Sequence, residues 1–215
     1  MSWDRDKSKS ASDMFHWGKL QRSEVACAAL LHSQAFPTFF LSSLGPRFLT
    51  EFYRAFTCDA QAVSTVVKSE NRIIGVAVGT VQPQGFYKRL LKRRWPWFVI
   101  FSFPAVARQP AIALRLLRAV SYRGDPPAGP ERALLSSIAL APSFRGQGLG
   151  KLLLRAWAQE AARQGAVGAY LTTDAVRNDA VNKFYRSCGW TIESSYRTHE
   201  GRLMNRYMID FRQEN

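Results

Sequence analysis

The spacing of apolar residues in the first part of the chain predicts two helices followed by a β-hairpin. Helices are expected over residues 24–33 and from Pro46 onward, where apolar side chains recur every three or four positions. Two β-rich runs follow at 62–68 and 72–81, and the three polar residues between them are typical of a hairpin turn. A first strand is also predicted within residues 14–20.

The same kind of pattern returns near residue 133 and continues to the end of the chain. It predicts strands at 133–140, 169–173, 190–197 and 202–211, and helices at about 148–164 and 179–187. This order of elements indicates an α/β domain with a mixed sheet. We expect one domain over residues 13–215, preceded by a disordered lead-in over 1–12.

Residues 84–124 interrupt the sheet pattern between the third and fourth predicted strands. From Asn71 to Gly124 the chain holds ten basic residues and no acidic one, within a net charge of +14. Prolines at 96, 104 and 110 predict two or three short helices, each with an apolar and a basic side. This composition fits an interfacial helix facing an anionic partner. It fits equally a lid whose apolar faces complete the core.

Composition excludes several classes of protein. Hydrophobic residues make up 47% of the chain and aromatics 13%, which favours a packed core over disorder. The apolar runs are shorter than the roughly 20 residues that a spanning helix needs. Three cysteines without metal-ligand spacing predict reduced thiols in a cytoplasmic protein and no metal site. The basic charge comes without a recognisable nucleic-acid-binding module, so nucleic acid is not the expected partner.

A glycine-rich turn follows the strand predicted at 133–140 and begins the next helix. Gly146, Gly148 and Gly150 leave the backbone open to an anion, and helix-start N–H groups lack intrahelical partners. The helix dipole adds positive potential, and Arg145 and Lys151 add whole charges. The segment therefore predicts a pyrophosphate site. Its glycine spacing matches neither a P-loop nor the dinucleotide fingerprint.

Residues 145–150 resemble the Arg/Gln-x-x-Gly-x-Gly/Ala signature of the GNAT superfamily of acyl-CoA-dependent N-acetyltransferases. Residues 178–190 resemble a second motif of that family, Asn…Tyr-x-x-x-Gly-Phe, with Trp190 in place of the Phe. The clear resemblance covers about 134–191. It implies a GNAT-like fold, in which a mixed, mostly antiparallel central sheet is flanked by helices, with the basic helical insert between the third and fourth strands. In this fold the fourth and fifth strands splay apart around acetyl-CoA.

The resemblance also implies roles for individual residues. Tyr185 matches the tyrosine that protonates the departing CoA thiolate, and its alternative is an ordinary aromatic core residue. Asp174, at the end of the fifth predicted strand, is the candidate general base, with Glu193 and His199 behind it. Asn182 is expected either to contact the ligand or to face solvent. The full set expected to bind CoA is Ile138, Leu140, Arg145, Gly146, Gln147, Gly148, Leu149, Gly150, Lys151, Asn178 and Asn182.

The expected reaction is direct attack by a neutral amine on bound acetyl-CoA, without a covalent enzyme intermediate. A small-molecule amine is the expected acceptor, with an amino sugar preferred. The alternatives are acetylation of a protein N-terminus or lysine, and a catalytically silent CoA-binding module. Expected anionic partners of 84–124 are a membrane surface, a lipid-linked acceptor or an acidic carrier protein. The expected location is the cytoplasm, with a peripheral position at the inner membrane face as the alternative.

Overall fold

We analysed the protein in a computed structural model that describes residues 15–108, 132–198 and 201–211. Its centre is one seven-stranded sheet with the strand order β1-β2-β3-β4-β5-β7-β6. The strands are β1 (His16–Gly18), β2 (Ala62–Ser69), β3 (Arg72–Thr80), β4 (Ala133–Leu140), β5 (Gly168–Asp174), β6 (Thr191–Arg197) and β7 (Leu203–Asp210). Neighbouring strands are antiparallel except β4 and β5, which are parallel. The predicted mixed, mostly antiparallel sheet is confirmed.

Helices cover both faces of the sheet. They are α1 (Val25–Ala35), α2 (Phe40–Ser43), α3 (Pro46–Ala55), α4 (Phe86–Arg108), α5 (Leu149–Arg163) and α6 (Asp179–Ser187). Side chains of α1, α3 and α4 form one hydrophobic core with β2 and β3, whereas α5 and α6 contribute to a second core. The four-residue α2 was not predicted, because so short an element shows no periodicity. The lead-in predicted for residues 1–12 lies outside the described residues.

The position of α5 depends on close contact with β3. The Trp157 side chain is fully buried and donates its indole N–H to the backbone oxygen of Val63 at 3.3 Å. A Cβ at Gly79 would lie 2.6 Å from the Trp157 ring, so only glycine leaves room for this packing. Leu153 and Leu154 are buried, whereas Leu152 is half exposed.

The described part of the basic insert is one helix, α4, so the predicted breaks at Pro96 and Pro104 are wrong. A proline removes one intrahelical hydrogen bond and destabilises a helix by about 3 kcal/mol, but packing of a long apolar face can offset this. The Phe98 ring lies 4.9 Å from that of Phe48, and Phe86 is fully buried. The expected break at Pro110 lies outside the described residues. No helix in the described ranges is long and apolar enough to cross a membrane.

Candidate active site

The site begins where β4 and β5 separate. The two strands pair only at their first residues, Ala133 with Ala169 and Leu134 with Tyr170. Beyond Leu134, β4 continues to pair with β3 on its other edge, and β5 continues to pair with β7. The facing edges of β4 and β5 are therefore open over the rest of their length, in the part of the chain that the structure describes. Such a gap can accept an extended ligand that hydrogen-bonds like a strand.

Two residues of β4 direct their backbone groups into this gap. The N–H of Ala141 donates to the backbone oxygen of Ile74 at 2.7 Å, so it points toward β3. Peptide groups of alternate residues point to opposite edges of a strand. Ile138 and Leu140 therefore direct their N–H and C=O groups toward the open edge. This geometry favours the predicted contacts of these two residues with an extended ligand arm, which stay a prediction.

The glycine-rich turn presents a row of free backbone donors at the start of α5. Gly146 and Gly148 have positive φ angles, 79° and 78°, which a side chain would strain. A Cβ at either position would meet no atom within 4 Å, so the space in front of the loop is open. Among the described residues the amides of 146–150 have no hydrogen-bond partner. Five such donors at a helix start suit a pyrophosphate.

The polar side chains of this loop have defined positions. Arg145 donates to the backbone oxygen of Ala35 at 3.1 Å, which ties the loop to the carboxyl end of α1. A guanidinium has five N–H donors, so this bond leaves donors for an anion. Gln147 donates to the backbone oxygen of Ser143 at 3.1 Å, and Lys151 is exposed. Gly146 and Gly148 thus border open space, whereas the Leu149 side chain is buried in the core.

Tyr185 lies beside this loop, on α6. Its ring packs against Trp190 and Tyr207 and is 7% exposed. The preceding residue, Phe184, would lie 3.4 Å from a Cβ at Gly150, which places α6 against the start of α5. The Tyr185 hydroxyl has no hydrogen-bond partner within the described residues. Burial raises the pKa of Tyr185, so the phenol keeps its proton at neutral pH and can act as a donor.

Two asparagines fix the end of β5. Asn178 donates to the Thr173 hydroxyl at 2.8 Å and to the Asp174 backbone oxygen at 3.1 Å. The Asn182 amide donates to the backbone oxygens of Asp174 and Asn178, and its Oδ1 accepts from two β7 side chains. Asn182 is also 3% exposed, so the alternative that it faces solvent is wrong. This geometry favours a supporting role for Asn182 over the predicted contact with CoA.

The candidate bases have partners of their own. Both carboxylate oxygens of Asp174 accept hydrogen bonds from the Arg202 guanidinium, at 2.7 and 3.1 Å. Glu193 accepts from Ser194 and lies 3.7 Å from Arg206. His199 lies outside the described residues. The assignment of a general base therefore stays a prediction, with Asp174 held in a fixed orientation at the carboxyl end of β5.

The sequence analysis did not predict a buried polar cluster on the face of β4 that packs against α1 and α3. His32 Nδ1 of α1 and the Tyr53 hydroxyl of α3 share a 3.0 Å hydrogen bond, and the Tyr53 hydroxyl lies 3.2 Å from the Ser137 hydroxyl of β4. Ser137 follows a bulge in which Ser136 is the extra residue. The Ser136 hydroxyl accepts a bond from Tyr87 of α4 at 3.0 Å. A histidine on the apolar face of α1 was the one available signal.

The environment of His32 perturbs its titration. Its side chain is 2% exposed, and its Nε2 has no hydrogen-bond partner in the described part of the chain. Burial lowers the pKa of His32 to about 4, because the charged imidazolium is poorly solvated there. Burial also raises the pKa of Tyr53. The cluster is therefore uncharged at neutral pH and offers hydroxyl groups, not charges, next to the bulge of β4.

Comparison with known proteins identifies the family. The profile of the acetyltransferase (GNAT) family matches residues 29–190, well over half of the chain. The chain belongs to this family. A search of curated proteins finds no match. Within the described ranges no three His, Cys, Asp or Glu side chains are grouped so that they could hold a metal ion.

Solved structures of GNAT proteins share the fold of this acetyltransferase. A GNAT-family acetyltransferase from Desulfovibrio desulfuricans matches with a TM-score of 0.61 at 13% identity, over 91% of this chain and 98% of that one. The ribosomal-protein-S18-alanine N-acetyltransferase of Escherichia coli matches with a TM-score of 0.56 at 15% identity, over 92% and 94%. The yncA protein of Salmonella typhimurium, solved with its cofactor acetyl-CoA, matches with 0.57 at 13%, over 94% and 96%.

The predicted family and enzyme class are confirmed, and acetyl-CoA is the acyl donor that membership of this family implies. At these low identities the likeness to solved structures shows the fold alone. The individual site residues, the acceptor and the role of the insert stay predictions.

Proposed function

We propose that this acetyltransferase transfers the acetyl group of acetyl-CoA to a primary amine of a small molecule, with an amino sugar preferred. The observation that carries the proposal is the row of five free amides at 146–150, beside the open gap between β4 and β5. The row of amides suits a pyrophosphate, and the gap suits an extended arm. CoA contains both of these parts. The yncA protein, which has the same fold, was solved with acetyl-CoA.

Different residues of the chain have separate roles in the proposed reaction. Acetyl-CoA supplies an activated thioester. The N–H groups that Ile138 and Leu140 direct into the gap would donate to the thioester carbonyl, where negative charge develops during attack. The amine nitrogen forms a bond to the carbonyl carbon as the carbon–sulfur bond breaks. Tyr185 would give its proton to the departing sulfur, and Asp174 or water would take the proton that the amine loses.

Direct attack by the amine is favoured over a covalent enzyme intermediate. Cys188 directly follows α6, the helix that carries Tyr185. Burial raises the pKa of its thiol, and the thiolate is the nucleophilic form. Cys188 is therefore a poor nucleophile at neutral pH. A thiol-blocking reagent that leaves the fold intact should leave turnover largely unchanged.

The polar groups beside the β4 bulge support a hydroxylated acceptor. Tyr87, Ser136 and Ser137 bring three partly exposed hydroxyl groups to this part of the sheet, and the fully buried Tyr53 hydroxyl lies 3.2 Å from that of Ser137. A hydroxyl that already makes one hydrogen bond can still donate or accept another, as sugar hydroxyls require. Acetylation of a protein N-terminus is the alternative function. It is supported by the fold shared with the E. coli neighbour, which is named for an alanine of ribosomal protein S18.

A thiol-release assay over a panel of amines tests the proposal. With acetyl-CoA as donor, we expect the highest kcat/KM for an amino sugar and lower values for a polyamine, an alanine-starting peptide and a lysine peptide. The matched control is the same amino sugar already N-acetylated, which has no free amine and should release no thiol. Faster release with either peptide would favour the protein-acetylating alternative. CoA binding by calorimetry without release for any amine would identify a silent module.

A further inference from the structure

The helix α4 has one apolar side in the core and a second apolar surface in solvent. Phe86, Leu90 and Phe98 are buried against the core beneath α1 and α3. Five other large apolar residues of the same helix are between 49% and 69% exposed. These five, the α4 apolar patch, are Trp95, Trp97, Val99, Ile100 and Phe103.

The patch is continuous along one side of the helix. Trp95, Val99 and Phe103 follow one another at a spacing of four residues, which places them in one row. Ile100 lies three residues before Phe103 and three after Trp97, which extends the row sideways. Scattered single apolar residues are normal on protein surfaces, but a contiguous group on a helix indicates a binding surface.

The charge around the patch is predominantly positive. Between Asn71 and Gly124 the sequence holds ten basic residues and no acidic one. Lys92 and Arg108, before and after the patch, are exposed. Beside Trp97, a groove of about 400 Å³ between α3 and α4 is lined by Arg47, Thr50, Glu51, Arg54, Trp97 and Phe101. A partner of this surface should therefore combine an apolar interior, for the patch, with negative groups at its surface, for the basic side chains.

We propose that α4 docks on the surface of an anionic lipid bilayer, with the patch among the upper acyl chains and the basic side chains at the lipid phosphates. Aromatic residues favour this boundary, and basic residues add attraction to anionic headgroups. A nucleic acid would account for the charge but not for five exposed apolar side chains, and an acidic carrier protein as the partner would give no binding to protein-free vesicles. The bilayer accounts for both.

Docking through α4 would place the active site close to the membrane. Tyr87, in the first turn of α4, donates a hydrogen bond to Ser136 in the bulge of β4. The helix that carries the patch therefore also borders the open edge of β4. A lipid-linked acceptor of the proposed amine class could reach the site from the bilayer. The docking itself does not depend on the proposed acceptor, because the patch and the active site are tested by separate measurements.

Vesicle co-sedimentation of the full chain tests the docking. We expect binding to vesicles that contain phosphatidylglycerol, at least tenfold weaker binding to pure phosphatidylcholine, and a loss of binding as salt screens the charges. The triple variant Trp95→Ser, Val99→Ser, Ile100→Ser should bind at least tenfold more weakly than the unaltered chain. Its matched control is Trp17→Ser, Leu30→Ser, Val176→Ser, which removes one tryptophan and two aliphatic residues that are also exposed. This control should bind normally.

Three results would overturn the proposal. They are absence of binding to anionic vesicles at low salt, equal binding to neutral and anionic vesicles, and normal binding by the patch variant. Calorimetric CoA binding by each variant shows whether it is folded, so an unfolded patch variant would not count as support. In that case Lys92→Gln with Arg108→Gln, which leaves the apolar surfaces intact, must weaken binding to anionic vesicles or the proposal fails.

Discussion

The glycine loop that follows β4 and the polar cluster on the face of β4 toward α1 are built in different ways. The loop uses consecutive backbone amides, 146–150, in front of open space. The cluster uses the buried side chains of His32, Tyr53 and Ser137, which come from α1, α3 and β4. The loop offers groups that every residue has, whereas the cluster needs particular side chains from distant parts of the chain.

This difference decides what each region tolerates. Backbone amides in the loop depend on the local φ angles, so a change of one glycine alters the anion site directly. The buried cluster depends on the packing of α1 and α3 against β4, so a change there affects stability as well as chemistry. We therefore expect substitutions in the loop to act mainly on CoA binding. Substitutions in the cluster should act on folding stability and its pH dependence.

The largest effect is expected for Gly148→Glu. A side chain at its φ of 78° is strained, and a carboxylate would stand where the pyrophosphate is expected. Calorimetry should show CoA affinity reduced by at least roughly a hundredfold, as a carboxylate facing a pyrophosphate implies. The matched control is Gly165→Glu at the other end of α5. Gly165 also has a positive φ, 92°, and open space around its Cβ.

Unchanged CoA affinity in both glutamate variants would mean that the loop is not the anion site. Reduced affinity in both would mean that strain, not position, is responsible. Only a loss confined to Gly148→Glu supports the assignment of residues 146–150.

The next effect is expected for Tyr185→Phe. Loss of a general acid typically lowers turnover by about a hundred- to ten-thousand-fold. Because the Tyr185 hydroxyl has no partner within the described residues, the variant should keep its thermal stability and its affinity for acetyl-CoA. Steady-state thiol release gives kcat, and a melting curve provides the control. A variant that turns over at the unaltered rate would make Tyr185 a packing residue of the core around Tyr207 and Trp190.

The smallest effect is expected for His32→Leu, a change in the buried polar cluster. His32 has a pKa of about 4 in the fold against 6.5 for the free side chain. The unfolded chain therefore binds the proton more readily between these values, and stability is lost as pH falls from 6.5 toward 4. The shift corresponds to about 3 kcal/mol at most. In urea titrations at neutral and mildly acidic pH, His32→Leu should remove this part of the pH dependence.

The control for that titration is His16→Leu, because His16 is exposed on β1. It should keep the full pH dependence of the unaltered chain. If His32→Leu and the unaltered chain lose the same free energy of unfolding on acidification, the buried cluster does not set the acid stability, and the lowered pKa of His32 has no consequence for folding.

Local features of the chain were predictable because their information is contiguous. The glycines that allow a positive φ, the unpaired helix-start amides and the basic side chains all lie within the seven residues 145–151. The two motifs and the alternation of strands and helices were sufficient for the family and the sheet, since periodicity directly reflects which face is buried. The strands predicted at 133–140 and 169–173 agree with β4 and β5 to within one residue.

Features that depend on partners far away in the chain were decided only by the tertiary structure. Ser137 meets His32 across 105 residues, and Asn182 meets Tyr207 across 25, so no local pattern shows either contact. The continuity of α4 through Pro96 was also decided by packing, because burial of Phe86 and Phe98 offsets the local preference of proline. The sequence by itself determined the family, the sheet and the glycine-rich loop with its unpaired amides. Folding determined which side chains form the buried polar cluster, since only folding brings α1, α3 and β4 together.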